Sequence, residues 1–157
     1  MSDPDVKRRR RRHSRPSIDD GAPSLLYTVK QVELAIRHHL DELLKPAGLT
    51  ALQYTVLTVL DRRDELTLTE LAHNSFVKAQ SMADILRPLH QRELIVRSPD
   101  PHHGRRQLIS LAPAGRQLVR DHHEPVRELE DRMVAELSEG DVQMLRGMLA
   151  RCRTALA

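Results

Sequence analysis

Between residues 78 and 106 the sequence gathers side chains suited to reading or gripping a polyanion: Lys78, Gln80, Ser81 and Arg87, then Arg105 and Arg106. Glutamine offers a donor and an acceptor that match an adenine edge, arginine matches guanine, and lysine or serine binds phosphate. Lys78, Gln80 and Ser81 fall within one helical turn, with Asp84 and Arg87 one and two turns further on. The Arg105-Arg106 pair stands in a turn-rich segment, and such a pair suits the concentrated negative potential of a narrow minor groove. A second cationic group, Arg8, Arg9, Arg10, Arg11 and Arg12, lies near the start, flanked by Lys7 and Arg15. Residues 1–15 carry a net charge of +5 and the rest of the chain −2, so the overall +3 describes neither part. Such a basic run binds nucleic acid first and an anionic membrane surface second.

Other reactive residue types point to less. Six of the nine histidines form three adjacent pairs, His38-His39, His102-His103 and His122-His123. Neighbours on a helix project about 100° apart, so a helical pair does not chelate by itself. A site built from His38 with Glu42, or from His122 with a carboxylate of a second chain, is the metal-sensing alternative; the main expectation is no metal and no cofactor. His102 and His103 would add pH-dependent charge beside phosphates. One cysteine, Cys152, excludes an internal disulfide framework and a Cys-rich zinc module, and its place on an apolar stripe marks it as a packing residue. The three aromatics, Tyr27, Tyr54 and Phe76, are too few for a platform that stacks single-stranded bases. No Ser/His/Asp arrangement, phosphate-cradling glycine loop or paired-carboxylate geometry stands out, so an enzyme is not expected.

The elements that must hold these residues are legible from periodicity. At 157 residues one domain is expected, preceded by a disordered arm over residues 1–23 that has too few aliphatics to offset its ordering entropy. Leu25, Val29, Val32, Ile36, Leu40 and Leu43 draw one stripe along a helix that Pro46 and Gly48 end. Thr50 with Gln53 and Thr67 with Glu70 have capping-box spacing ahead of two further helices. A fourth spans about Lys78 to Arg92, with Met82, Ile85, Leu86 and Leu89 inward and Pro88 loosening its last turn. Leu94–Arg97 and Gln107–Leu111 are β-prone runs around a turn-rich segment, which predicts a hairpin with a mobile tip. Pro113 opens a long helix with the stripe Leu118, His122, Val126, Leu129, Met133 and Leu137, bent at Pro125. Ser138 with Asp141 caps the last helix, where Val142, Leu145, Leu149, Cys152 and Leu156 repeat at coiled-coil spacing. No apolar run reaches the length of a membrane span and no signal peptide follows the basic start, so a soluble, cytoplasmic chain without membrane contact is expected.

Two helices joined by a short turn and followed by an arginine-tipped hairpin is the order of a winged helix-turn-helix. Leu66–Ala72, Leu89–Val96, and Asp100-Pro101…Arg105-Arg106-Gln107-Leu108-Ile109-Ser110-Leu111 followed by Gly115 resemble the MarR (multiple-antibiotic-resistance regulator) family over about Ser24 to the C-terminus. The resemblance implies a mainly α fold with a small β wing. Residues 50–111 would form the winged lobe, and residues 24–46 and 113–157 the helices of a homodimer. It also implies a sequence-specific regulator, usually a repressor, bound to a pseudo-palindromic operator and released by a small-molecule effector beneath the first helix. Arg37, His38, His39 and Tyr54 are the polar residues to watch there, and Arg or His would favour an anionic aromatic ligand. The family commonly places a second Asp in the wing where this chain has Gly104, and often a Gly after the recognition helix where it has Glu93. The alternatives are a metal- or redox-sensing regulator of the same fold, an architectural nucleoid protein using the arginine arm, and a winged-helix module that binds protein.

Overall fold

The computed structural model describes residues 23–156, and the arm with Arg8–Arg12 lies outside them. The chain divides into two units, residues 1–34 and 35–157, and helix α1 (Leu25–Leu44) begins in the first and ends in the second. In the first unit Ser24 opens α1: its Oγ accepts from the Tyr27 N–H at 3.2 Å and its carbonyl from the Thr28 hydroxyl at 3.3 Å. Leu25, Leu26, Tyr27, Val29, Val32 and Leu34 are all exposed.

The second unit continues through a 3₁₀ turn (Lys45–Ala47), α2 (Ala51–Arg62), β1 (Leu66–Thr67), α3 (Leu68–Asn74), α4 (Ala79–Gln91), β2 (Ile95–Pro99), β3 (Gln107–Leu111), α5 (Pro113–Met133) and α6 (Glu139–Leu156). Its core is aliphatic: Leu44, Val56, Leu57, Leu60, Leu71, Met82, Leu86, Leu89, Ile95 and Ile109 are all fully buried. The inward residues expected of α4 are inward, with Ile85 half-buried. Pro88 and Pro125 sit inside α4 and α5 without ending them.

Helix starts follow the capping chemistry. At α2 the Thr50 Oγ1 accepts from the Gln53 N–H and the Gln53 Oε1 from the Thr50 N–H, and the Asp41 Oδ1 accepts from the Ala51 N–H at 2.7 Å. Thr67 and Glu70 form the same box at α3, and Ser138 with Asp141 caps α6. Helix ends share a second device. Leu49 N–H donates to Leu44 O and Gly48 N–H to Lys45 O; Val77 donates to Ala72 and Phe76 to His73; Leu94 donates to Leu89 and Glu93 to His90. Each pair is a Schellman closure, which places its middle residue in the left-handed region and docks the following apolar residue on the helix. Only one of the three slots holds glycine, Gly48 (φ 64°); Phe76 (φ 58°) and Glu93 (φ 55°) fill the others. The left-handed conformation costs an L-residue on the order of 1–2 kcal/mol. The glycine that the sequence lacks after α4 is therefore replaced by a glutamate in the same turn, and the helix still stops.

The sheet has three antiparallel strands, ordered β1-β3-β2, where the sequence shows only two. β2 and β3 form the expected hairpin, Ile95 opposite Leu111 through Pro99 opposite Gln107. β1 adds Leu66 opposite Ile109 and Thr67 opposite Leu108. Gly115 lies in the first turn of α5 against β2's approach: a Cβ there would stand 2.1 Å from the Leu94 carbonyl oxygen. That same oxygen accepts the Ala112 N–H at 3.1 Å, so helix and strand meet backbone to backbone. On α6 the apolar stripe is uncovered apart from half-buried Val142, and Cys152 is exposed rather than packed, because among the described residues no other element covers that helix face.

Candidate nucleic-acid interface

Four residues, Ser75 to Lys78, separate the end of α3 from the start of α4, which makes α3 and α4 a tight helix-turn-helix. Lys78 is the N-cap of α4, with extended backbone and no capping hydrogen bond from its side chain. Lys78, Gln80, Ser81, Asp84 and Arg87 are all exposed, and Gln80, Asp84 and Arg87 lie on the face of α4 opposite Met82, Leu86 and Leu89. The Arg87 guanidinium donates to Asp84 Oδ1 at 2.8 Å. Both side chains are well exposed, so the pair is weak and its arginine can exchange the carboxylate for a base edge or a phosphate.

Behind this face, Ala83, Arg87, His90, Gln91 of α4 and Arg97 of β2 line an open groove of about 420 Å³. His90 and Gln91 carry no signal in the sequence, and Arg97 reads there only as one of the basic residues between Lys78 and Arg106. Only the folding of β2 alongside α4 brings Arg97 beside Arg87, and no spacing rule joins positions in different elements. Arg92 is the reverse case. It reads as one more cation of this region, yet its guanidinium forks onto two carbonyls, Nη1 to Gly48 O at 2.9 Å and Nη2 to Ala47 O at 2.8 Å. Arg92 therefore fastens the C-terminal end of α4 to the turn after α1.

The wing tip is closed by its own backbone: Asp100 N–H donates to Arg106 O, Arg106 N–H to His103 O and His103 N–H to Asp100 O. The Asp100 carboxylate also accepts from the His102 N–H at 2.8 Å. Arg106 thus stands at the base of the loop and Arg105 within it, both exposed. Nothing lies within 4 Å of a Cβ built on Gly104. Glu70 of α3 is held below the ordinary carboxylate range chiefly by the hydrogen bonds from the Thr67 side chain and backbone, with a smaller contribution from Arg106.

The four effector-site residues do not form one enclosed site. Tyr54 is buried, with its ring edge-on to His122 at 6.4 Å between centroids. Burial, with the Asp61 charge adding, pushes its phenol above the ordinary value. His122 is half-buried and its Nδ1 lies 2.9 Å from Leu118 O. Arg37, His38 and His39 are exposed on α1. His39 lines a cavity of about 270 Å³ with Leu43, Pro125, Glu128, Leu129 and Arg132. Among the described residues no three His, Cys, Asp or Glu side chains are grouped to hold a metal ion. No single helix among them is long and apolar enough to cross a membrane.

A family model described as MarR family matches residues 47–106, the span from the turn after α1 to the base of the wing. A solved structure of a probable transcriptional regulator from Pseudomonas aeruginosa is 30% identical, with a TM-score of 0.72, over 82% of this chain and 96% of that one. The chain belongs to the MarR family. The HTH-type transcriptional repressor Rv2887 of Mycobacterium tuberculosis is 29% identical over 85% of this chain and 96% of its own length. The S. aureus MepR–DNA complex shares the fold at a TM-score of 0.78 and 24% identity, covering 85% of this chain and 99% of that one. Membership of MarR places the chain in a family of transcriptional regulators, not an enzyme class.

Proposed function

We infer that the protein is a sequence-specific double-stranded DNA-binding repressor acting as a homodimer. The observation that supports this best is the exposed polar face of α4. It carries Lys78, Gln80, Ser81 and Arg87 on a helix whose other face is locked in the core, on the same lobe as a hairpin bearing Arg105 and Arg106. In this reading α4 enters the major groove: Gln80 and Arg87 read base edges, Lys78 and Ser81 hold phosphate, and Arg105 and Arg106 follow the minor groove. Two such helices in a dimer meet half-sites about 34–36 Å apart. The exposed apolar residues of the first unit, and separately those of α6, are the surfaces such a dimer would cover. The Arg8–Arg12 arm would add phosphate contacts. An anionic effector is proposed to act at the cavity beside His39, where Arg132 supplies a cation.

Selection of bound sequences from random duplex DNA tests the reading. A pseudo-palindromic consensus is expected, with at least 10³-fold preference over random sequence. Arg105→Glu with Arg106→Glu should cost at least tenfold in operator affinity. Removal of residues 1–15 should make the slope of log affinity against log salt shallower. Equal affinity for all sequences would replace this reading with an architectural DNA-binding protein. Charge reversal without effect would remove the wing from the interface.

A further inference from the structure

Phe76 is the residue of the helix-turn-helix that the fold itself does not account for. It fills the left-handed slot of the α3 closure (φ 58°), where a bulky side chain is an outlier, and 75% of it is exposed. Glycine would make the same turn without strain, as Gly48 does at the end of α1. Glu93 carries the same backbone strain after α4, but its charged side chain gains from the water around it. Phe76 gains neither from packing nor from solvation. A strained, exposed and apolar residue is explained when its ring is buried by something outside the chain. What lies beside it is the reading end of α4: Lys78, Gln80 and Ser81 follow within five residues, all exposed. The charge there favours a polyanion over an apolar protein partner.

Building on the DNA-binding reading, we propose that Phe76 is a specificity-determining DNA contact, its ring packed against an apolar surface of the duplex at the point where α4 enters the major groove. Duplex DNA offers two such surfaces, the thymine 5-methyl group on the base edge and the face of a deoxyribose. The left-handed turn directs the chain so that Val77 docks inward and Phe76 stays out. The strain is thus tied to the presentation of the ring.

The test compares Phe76→Gly, Phe76→Asn and the matched control Glu93→Gly, each as the full-length chain, for Tm and for affinity to a selected operator and to random duplex. All three relieve left-handed strain, so Tm should rise by a few degrees in each. Operator affinity should fall at least tenfold in the two Phe76 variants and stay within twofold of wild type in Glu93→Gly. The salt slope should be unchanged, because no phosphate contact is lost. Replacing thymines by uracil one at a time then separates the two surfaces. Loss at one position per half-site, absent in Phe76→Gly, assigns the ring to a methyl group. Uniform tolerance, with the Phe76 variants still weakened, assigns it to deoxyribose. Phe76 variants that bind the operator within twofold of wild type overturn the proposal while leaving the DNA-binding reading intact; if they also fail to repress transcription in vitro, the ring serves a protein partner. A wild-type protein that selects no sequence overturns both.

Discussion

The same substitution at two glycines should have opposite outcomes. Gly104→Ala adds a methyl group to open space at the wing tip, where no atom lies within 4 Å. It should leave stability unchanged or raise it by up to about 1 kcal/mol through the unfolded state. Gly115→Ala drives a methyl group to within 2.1 Å of the Leu94 carbonyl oxygen. The nearest atom is backbone, with the Leu111 Cδ2 next at 3.1 Å, so α5 must move from the Leu94 backbone, at a cost of about 1–3 kcal/mol. Thermal or urea unfolding of the two variants checks the contrast; equal Tm values would mean that the close approach is easily relaxed. Neither glycine's role is readable from composition. Gly115 is marked in the sequence by resemblance alone, and the reason for it, a backbone contact with a residue 21 positions earlier, exists only in the folded chain. Tyr54 shows the converse: it reads as a ligand-facing hydroxyl, and burial makes it a wall of the core beside His122.

At the level of elements, the chemistry of starts was more legible than that of stops. A capping box is a local pair three residues apart, so Thr50-Gln53, Thr67-Glu70 and Ser138-Asp141 announce α2, α3 and α6 directly. A Schellman stop is announced only when glycine fills its slot, and Phe76 and Glu93 conceal two of three. β1 was invisible for a different reason: two residues carry no alternation, and pairing with β3 alone makes them a strand. The α3 cap carries a pH dependence whose sign is fixed. Glu70 is ionised when it accepts from Thr67, and its carboxyl is held below the ordinary range. Its contribution to stability is therefore complete above the ordinary carboxylate pKa and is lost as pH falls through the lowered one. Thr67→Ala should cost about 1 kcal/mol at neutral pH and flatten the stability profile below the ordinary carboxylate pKa. An unchanged profile would mean that Glu70 titrates without stabilising α3.

For the whole molecule, the apolar side chains left in water argue that one chain is not the working unit. Met144, Leu145, Met148 and Leu149 form an uncovered face on α6, and the first unit exposes six apolar side chains of its own. Leu145→Glu with Leu149→Glu should reduce the mass in analytical ultracentrifugation from a dimer to a monomer of 18.0 kDa and lower operator affinity more than tenfold. A dimer that persists would move the interface off α6. The Arg92 fork acquires its meaning at this scale. The recognition helix has thirteen residues, about 20 Å at 1.5 Å per residue. It is pinned at the end away from Lys78 and Gln80, on the carbonyls of Ala47 and Gly48. Because Met82, Leu86 and Leu89 hold α4 in the core, it moves with the lobe as one body; a rotation of about 10° about Arg92 would sweep Lys78 and Gln80 through about 3 Å, roughly the full length of a hydrogen bond. Any event that shifts the turn after α1 is thereby passed, through two hydrogen bonds, to the helix proposed to read DNA.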